Sequence, residues 1–306
     1  MSAAARAWDR FWFTPQSATD LAICRVLFFG GLLYQRWWID SGPWTELDEA
    51  FWFPLRIFQI LHLPLLSASI LGALDQIWLL ALAASCVGLL TRVSTATAFV
   101  VGAYLIAIPH NFGKTYHSDA VIVFMLGALA LSRCGDKWSV DAWVRQRGRS
   151  VEPPPSGEYR WPIRVAWLLW VLLYAAAGIS KIRNGGLDWV FSDSFRNILL
   201  AHHYTHTPLV GWGIVLAEYP WVCTLLAGGT IFIETLTPMA LFSRYARWIV
   251  IPSLGLMQVG IGLLLGVRFD AYLLVFLFWI PWGQIGQRLA PWPESERPPR
   301  PVSTPA

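Results

Sequence analysis

Apolar runs of about 20 residues recur along this chain, and they constrain its fold most, because a transmembrane helix needs about that length. Hydrophobic residues make up 56% of the sequence, whereas charged residues make up only 14%. Soluble domains usually carry about a quarter charged residues. The sequence therefore predicts an all-α fold, a polytopic integral membrane helical bundle.

Eight apolar segments are predicted to cross the membrane. They are residues 20–38, 71–90, 94–112, 117–132, 162–180, 221–242, 247–266 and 269–286. Segment 51–66 is aromatic and too short to span, and segment 189–208 is amphipathic, so both are predicted to be interfacial or re-entrant helices. We expect residues 1–290 to form one membrane domain and the Pro-rich residues 291–306 to form a disordered tail.

The basic residues predict the orientation. Segment 133–164 carries seven Lys and Arg residues, which places it in the cytoplasm by the positive-inside rule. Both termini are then cytoplasmic, with fifteen basic residues inside and seven outside, as in a multi-pass protein of a bacterial inner membrane. No Lys/Arg run alternates with aromatic residues, so the expected partner is the lipid bilayer and no nucleic acid.

The predicted topology gathers titratable groups at the outer face. Lys181 falls there with all six histidines, which are His62, His110, His117, His202, His203 and His206. The last three have a spacing that can hold a metal ion. No Glu or Cys lies close to them in the sequence, so an interfacial polar face is favoured and no metal is predicted.

Three of the charged residues in or at the end of the apolar runs are candidates for a function. Lys181 closes the run WLLWVLLYAAAGIS, where a lysine either extends its ammonium toward the headgroups or serves as a base. Arg25 and Glu234 lie within predicted spans, and intramembrane charges usually pair and often mark function. We predict a structural Arg25–Glu234 ion pair, with a proton relay as the alternative.

Two stretches carry a family resemblance. They are YHSDAVIVFMLGALALSRCGDKWSVDAWVRQRG at 116–148 and YAAAGISKIRNGGLDWV at 174–190. The His-Ser at a span start, the W-S-V-D-A turn, and the A-G-x-x-K-I span end followed by D-W-V occur in that order. In these features the chain resembles the membrane domain of vitamin K-dependent gamma-glutamyl carboxylase and its bacterial relatives, the HTTM family.

The resemblance implies an enzyme that deprotonates and oxygenates a reduced vitamin K-type quinone at the outer membrane face. It implies that Lys181 is the base and that His117 takes part in the oxygenation step. His110, Tyr116 and Trp189 are predicted to bind the substrate. The implied cofactor is reduced vitamin K or menaquinol, without a metal. The family's W-S-V-D-A turn, at 138–142 here, is interpreted as a structural helix start.

Other functions stay open at this point. One alternative is a quinone-binding subunit that relays electrons and carries out no base step. Another is a non-enzymatic maturation partner for a secreted peptide or protein. If the chain is an enzyme, a secreted peptide is a possible second substrate, and the sequence does not identify it.

Overall fold

The computed structural model describes residues 2–113, 117–149, 152–206, 211–267 and 269–289. Within these ranges the fold is all-α, as predicted, and contains no β-strand. The helices are α1 (Ala3–Phe13), α2 (Ala18–Arg36), α3 (Arg56–Ile60), α4 (Ala68–Val87), α5 (Thr91–Ala107), α6 (His117–Leu131), α7 (Val140–Arg145), α8 (Trp161–Gly185), α9 (Asp188–Phe191), α10 (Ser194–His206), α11 (Trp212–Ala217), α12 (Pro220–Leu236), α13 (Met239–Phe242), α14 (Arg244–Leu265), α15 (Asp270–Phe276) and α16 (Trp282–Leu289). Short 3₁₀ helices lie at Gly42–Glu46, Glu49–Phe51, Pro109–Phe112, Gly157–Tyr159 and Leu277–Trp279.

Four helical segments among the described residues are long and apolar enough to cross a membrane. They are Ala68–Val87, Thr91–Phe112, Gly157–Gly185 and Arg244–Leu265. Helices α6 and α12 are apolar but shorter. A helical membrane protein is therefore supported, and the predicted total of eight spans is not confirmed.

Two of the predicted spans are interrupted. Segment 269–286 is α15, a 3₁₀ turn at Leu277–Trp279 and then α16, so it is not a continuous helix. Segment 221–242 breaks after Leu236, and α13 begins only at Met239. Pro281 and Pro238 lie at these breaks, and proline lacks the N–H that a helix interior requires. Each of these two predicted spans is therefore divided into shorter helices.

The main core lies between α2, α4, α5, α6, α8, α14 and α15. Helix α4 packs against both α2 and α5, α5 packs against α6, and α8 packs against α12. Trp167 of α8 stacks on Trp279, with ring centroids 4.2 Å apart and planes inclined by 6°. A small second cluster joins α10, α11 and α12 through Leu199, Ala217 and Cys223. The core thus fixes α8 beside the helices that complete the candidate site.

The segments predicted to be interfacial contain short helices. Segment 51–66 contains α3, and segment 189–208 contains most of α9 and all of α10. The W-S-V-D-A turn begins α7, because the Ser139 hydroxyl accepts a hydrogen bond from the Ala142 N–H at 2.9 Å. This confirms the predicted helix start.

Asp141 of the same turn caps a different helix. Its carboxylate accepts hydrogen bonds from the N–H groups of Leu90 and Thr91 at 2.8 and 2.6 Å, and from the Thr91 hydroxyl at 2.7 Å. Burial alone would raise the pKa of Asp141, but these hydrogen bonds outweigh it and hold the pKa below its usual value. The turn therefore fixes the start of α5.

The predicted Arg25–Glu234 ion pair is wrong. The Arg25 side chain is fully buried and donates hydrogen bonds to backbone carbonyls, including that of Cys134 at 2.8 Å and that of Trp138. Carbonyl oxygens exposed by the turn after α6 accept hydrogen bonds from Nη1 and Nη2 without a carboxylate, while Nε has no partner among the described residues. Glu234 pairs with a different residue, Lys181.

Candidate functional site

A close approach of α8 and α12 creates the candidate site. A Cβ atom added to Gly178 would lie only 2.9 Å from the Glu234 Cβ, so the helices can meet here because Gly178 has no side chain. Lys181 follows three residues later, on the same face of α8. The A-G-x-x-K sequence therefore directs the Lys181 side chain toward Glu234.

Lys181 and Glu234 form an ion pair between the two helices. The Lys181 Nζ lies 2.6 Å from each carboxylate oxygen of Glu234. The Glu234 side chain is 5% exposed and the Lys181 side chain 22% exposed. The Trp189 ring also lies near the ammonium, with its centroid 5.7 Å from Nζ. The pair shares one proton, which lies either on Lys181, giving an ammonium and a carboxylate, or on Glu234, giving an amine and a carboxylic acid. In the first arrangement the two opposite charges stabilise each other in their apolar surroundings.

Two tyrosines continue from the ion pair toward α6. Tyr174 lies one helical turn before Gly178 on α8, and its hydroxyl oxygen accepts a hydrogen bond from the Gln258 amide. The Tyr174 and Tyr272 rings are 6.1 Å apart, and Tyr272 is also 6.1 Å from the His117 ring. The Tyr272 hydroxyl is buried and has no hydrogen-bond partner in the described residues. A buried hydroxyl of this kind is expected to face a polar atom of a ligand or water.

An open apolar cavity of about 1140 Å³ lies beside α6. Its walls come mainly from α5, α6 and the segment around α3, among them Phe58, and its lining also contains His110, His117 and Asp119. The His110 Nε2 donates a hydrogen bond to the Asp119 carboxylate at 3.1 Å, which fixes the orientation of the imidazole. The Arg36 guanidinium lies 3.9 Å from the other Asp119 oxygen. The cavity thus combines apolar walls with a small cluster of polar side chains at one place in its lining.

The structure brings the predicted residues together in two groups. Lys181 contacts Trp189 in one group, whereas His110 and His117 line the cavity of the other. Lys181 does not line this cavity. Tyr116 lies outside the described residues. The predicted site is therefore divided, and Tyr174 and Tyr272 lie between its parts.

Sequence reasoning missed several members of this site. Glu234 was recognised as an intramembrane charge but was assigned to the wrong partner. Glu234 lies in the predicted span that follows the one closed by Lys181, and this order along the chain was the signal that could have paired the two residues. Asp119 follows His117 by two residues, and residues at this spacing do not face each other on a helix, yet both line the cavity. Tyr272 lies in the segment predicted as the last span, and that apolar run carried no signal for its position beside His117.

Potential metal ligands do not cluster in this structure. The described residues contain no group of three His, Cys, Asp or Glu side chains placed to hold a metal ion. The His206 side chain is not among those described, so the predicted interfacial role of the triplet stays a prediction.

The fold and this site define a class of protein, a helical membrane protein with a partly buried Lys–Glu pair between two adjacent helices. The sequence profile of the HTTM domain matches residues 13–281. The chain belongs to the HTTM domain family, as the sequence predicted. No match was found among curated proteins or among solved structures.

Proposed function

We propose that this protein is a membrane enzyme that deprotonates and oxygenates a reduced vitamin K-type quinone, either reduced vitamin K or menaquinol. Membership of the HTTM family supports the assignment, because this family is related to the membrane domain of the vitamin K-dependent carboxylase. One structural observation carries the proposal. It is the partly buried ion pair that Glu234 forms with Lys181, the residue at the position that the family resemblance gives to the base.

The ion pair provides a route for the proton. A lysine accepts a proton only as a neutral amine. Glu234 can take the ammonium proton, because both of its oxygens lie 2.6 Å from the Lys181 Nζ. Lys181 then accepts the proton of the quinol hydroxyl. The pair as a whole gains one proton, which leaves Lys181 as an ammonium and Glu234 as a neutral carboxylic acid.

The surrounding residues fit a quinol. The apolar cavity beside α6 is large enough for part of an isoprenoid tail, and His117 both lines it and lies against Tyr272. The unpartnered Tyr272 hydroxyl can donate a hydrogen bond to a quinol oxygen. Once bound and deprotonated, the quinol supplies the electrons that reduce dioxygen. His117 would donate a hydrogen bond to oxygen at this end of the site.

The test is quinol epoxidation by the purified protein in nanodiscs, followed by mass spectrometry of the quinone products. We expect Lys181→Arg to lose turnover, because the pKa of arginine stays above about 12 and arginine does not act as a base. Lys181→Ala should lose turnover and regain part of it when a small primary amine is added. Arg183→Ala is the matched control, since Arg183 is an exposed basic residue in the last turn of the same helix. Wild-type turnover in Lys181→Arg would overturn the proposal.

We also propose that both termini face the cytoplasm of a bacterial inner membrane, so that the site opens to the outer side. The distribution of basic residues supports this orientation. Single cysteines can be introduced at the exposed Arg147 and Tyr204 and treated with a maleimide that does not cross the membrane. The four native cysteines are buried or half-buried, which keeps the background low. In intact cells only position 204 should react, and labelling at 147 would reverse the orientation.

A further inference from the structure

Three arginines gather at the end of α8 that lies away from Lys181. Arg164 and Arg247 lie against the same indole ring, with guanidinium carbons 4.0 and 4.3 Å from the Trp167 centroid. Arg160 immediately precedes α8. Because 17 residues of helix separate Arg164 from Lys181, the cluster is about 26 Å from the ion pair. It is therefore a separate feature of the molecule.

These arginines have no acidic partner. Among the described residues, no carboxylate lies within the 4.0 Å of an ion pair from any of the three. Arg160 and Arg247 donate hydrogen bonds from Nε to the backbone carbonyls of Phe11 and Ala240, at 3.1 and 3.0 Å. These contacts do not neutralise the positive charge.

Arg164 is the least satisfied member of the cluster. It is only 8% exposed, and its Nη1 is buried without a hydrogen-bond partner. Contacts with the aromatic rings of Phe11 and Trp167 compensate part of the lost hydration. A buried cation with a free donor, next to two further cations, is costly unless an anion binds there. The cluster therefore has the properties of an anion site.

A phosphate group matches this arrangement best. Guanidinium groups bind phosphate oxygens through pairs of parallel hydrogen bonds, and a phosphate can bridge several arginines. Helix α1 packs against the start of α8 and exposes Trp8 and Phe13, as a helix at a membrane surface does. Basic pockets between helices at this depth bind the headgroups of anionic lipids.

We propose that Arg160, Arg164 and Arg247 form a binding site for a phosphate group, supplied by the headgroup of an anionic phospholipid. The headgroup phosphate bridges the half-buried Arg160 and Arg247, and the buried Arg164 Nη1 completes its coordination. The acyl chains of the lipid extend past the exposed Phe242 ring, which lies beside Phe11. The site is independent of the chemistry proposed for Lys181.

The test measures the melting temperature of the detergent-purified protein during titration with short-chain phosphatidylglycerol, short-chain phosphatidylcholine or inorganic phosphate. We expect phosphatidylglycerol to raise the melting temperature at lower concentrations than the other two. Removing one guanidinium contact should weaken its apparent affinity about tenfold in Arg247→Gln and in Arg160→Gln. Arg164→Gln should abolish the rise in melting temperature if the variant folds. If it does not fold, the variants at the half-buried Arg160 and Arg247 still decide the test.

Arg92→Gln is the matched control, because Arg92 is an exposed arginine on the same predicted side of the membrane. This variant should respond as the wild type does. An equal, arginine-dependent response to inorganic phosphate would keep the phosphate site but assign it to a free anion. Equal responses to phosphatidylcholine and phosphatidylglycerol would overturn the proposal, as would wild-type affinity in both Arg247→Gln and Arg160→Gln.

Discussion

The Lys181 ammonium lies 2.6 Å from both carboxylate oxygens of Glu234, across the interface of α8 and α12. The two residues differ in their access to solvent, because Lys181 is 22% exposed and Glu234 is 5% exposed. Removing Lys181 therefore leaves a carboxylate that is almost fully buried and has lost its partner. Removing Glu234 leaves an ammonium that can still be partly hydrated, because a lysine side chain is long and flexible.

This asymmetry predicts the outcome of a double-mutant cycle. Breaking a buried ion pair costs about 3–5 kcal/mol, so Lys181→Leu and Glu234→Leu should each lower the melting temperature in detergent. Lys181→Leu should be the more destabilising of the two. The double variant should recover part of the loss, because it buries no lone charge. Strictly additive losses would show that the two residues do not interact in the folded protein.

Gly178 predicts a steric effect on the same pair. In Gly178→Ala the new methyl group would lie 2.9 Å from the Glu234 Cβ and 3.0 Å from the Thr235 backbone nitrogen, so the helices must separate. Overpacking of this kind costs about 1–3 kcal/mol. Gly229→Ala is the matched control on α12, since a methyl group there meets nothing within 4 Å. Thermal denaturation should show a loss for Gly178→Ala only, and equal stability of both variants would contradict the packing argument.

Tyr272→Phe separates ligand binding from folding. The Tyr272 hydroxyl is buried without a partner, so its removal should leave the quinol-free protein as stable as the wild type or more stable. If the hydroxyl binds a quinol oxygen, the affinity for quinol should fall about tenfold. Tyr174→Phe is the control for folding. Unlike Tyr272→Phe, it removes a hydrogen bond, the one from Gln258, and should therefore lower the stability of the quinol-free protein. Unchanged quinol affinity in Tyr272→Phe would remove Tyr272 from the proposed site.

Arg25 provides a test of the corrected pairing. Its guanidinium contacts the carbonyls of Cys134 and Trp138, so Arg25→Met should strongly lower the melting temperature by leaving those acceptors unsatisfied. Since Glu234 is not its partner, the losses in Arg25→Met and Glu234→Leu should add within about 0.5 kcal/mol. Recovery of stability in the double variant would instead support the Arg25–Glu234 ion pair predicted from the sequence.

Local patterns in the sequence predicted the helices but not the partners of buried charges. Apolar length and a start signal suffice to locate a helix such as α7, whose Ser139 cap is a local feature. The partner of Glu234 depends on which helices are neighbours, and a pair 53 residues apart in the chain leaves no local pattern. Arg25 was also hard to predict, because carbonyl oxygens are present at every residue and only the fold selects those that are exposed.

The predicted site residues illustrate the same limit. The family motif led to Lys181 and His117, which the structure places in two groups joined through Tyr272. Tyr272 lies near the start of α15, and its approach to the His117 ring depends on how α15 packs against α6, which the sequence does not show. The sequence could therefore predict which residue types carry chemistry, but not the residues between them.

Asp141 predicts a pH dependence of stability. Its carboxylate caps the start of α5 through Leu90 and Thr91, and its pKa is lower in the folded protein than the usual value near 3.9. A carboxylate with a depressed pKa contributes stability above its unfolded pKa and loses it as the pH falls through the folded pKa.

Asp141→Asn should therefore cost about 1–2 kcal/mol at pH 7, as the loss of a helix cap does. The difference from the wild type should shrink below about pH 4, because protonation removes the same charge from the wild-type carboxylate. Asp9→Asn, an exposed position on α1, should match the wild type throughout in thermal denaturation between pH 3 and 7. Parallel curves for Asp141→Asn and the wild type over this range would show that the charge of Asp141 does not hold α5.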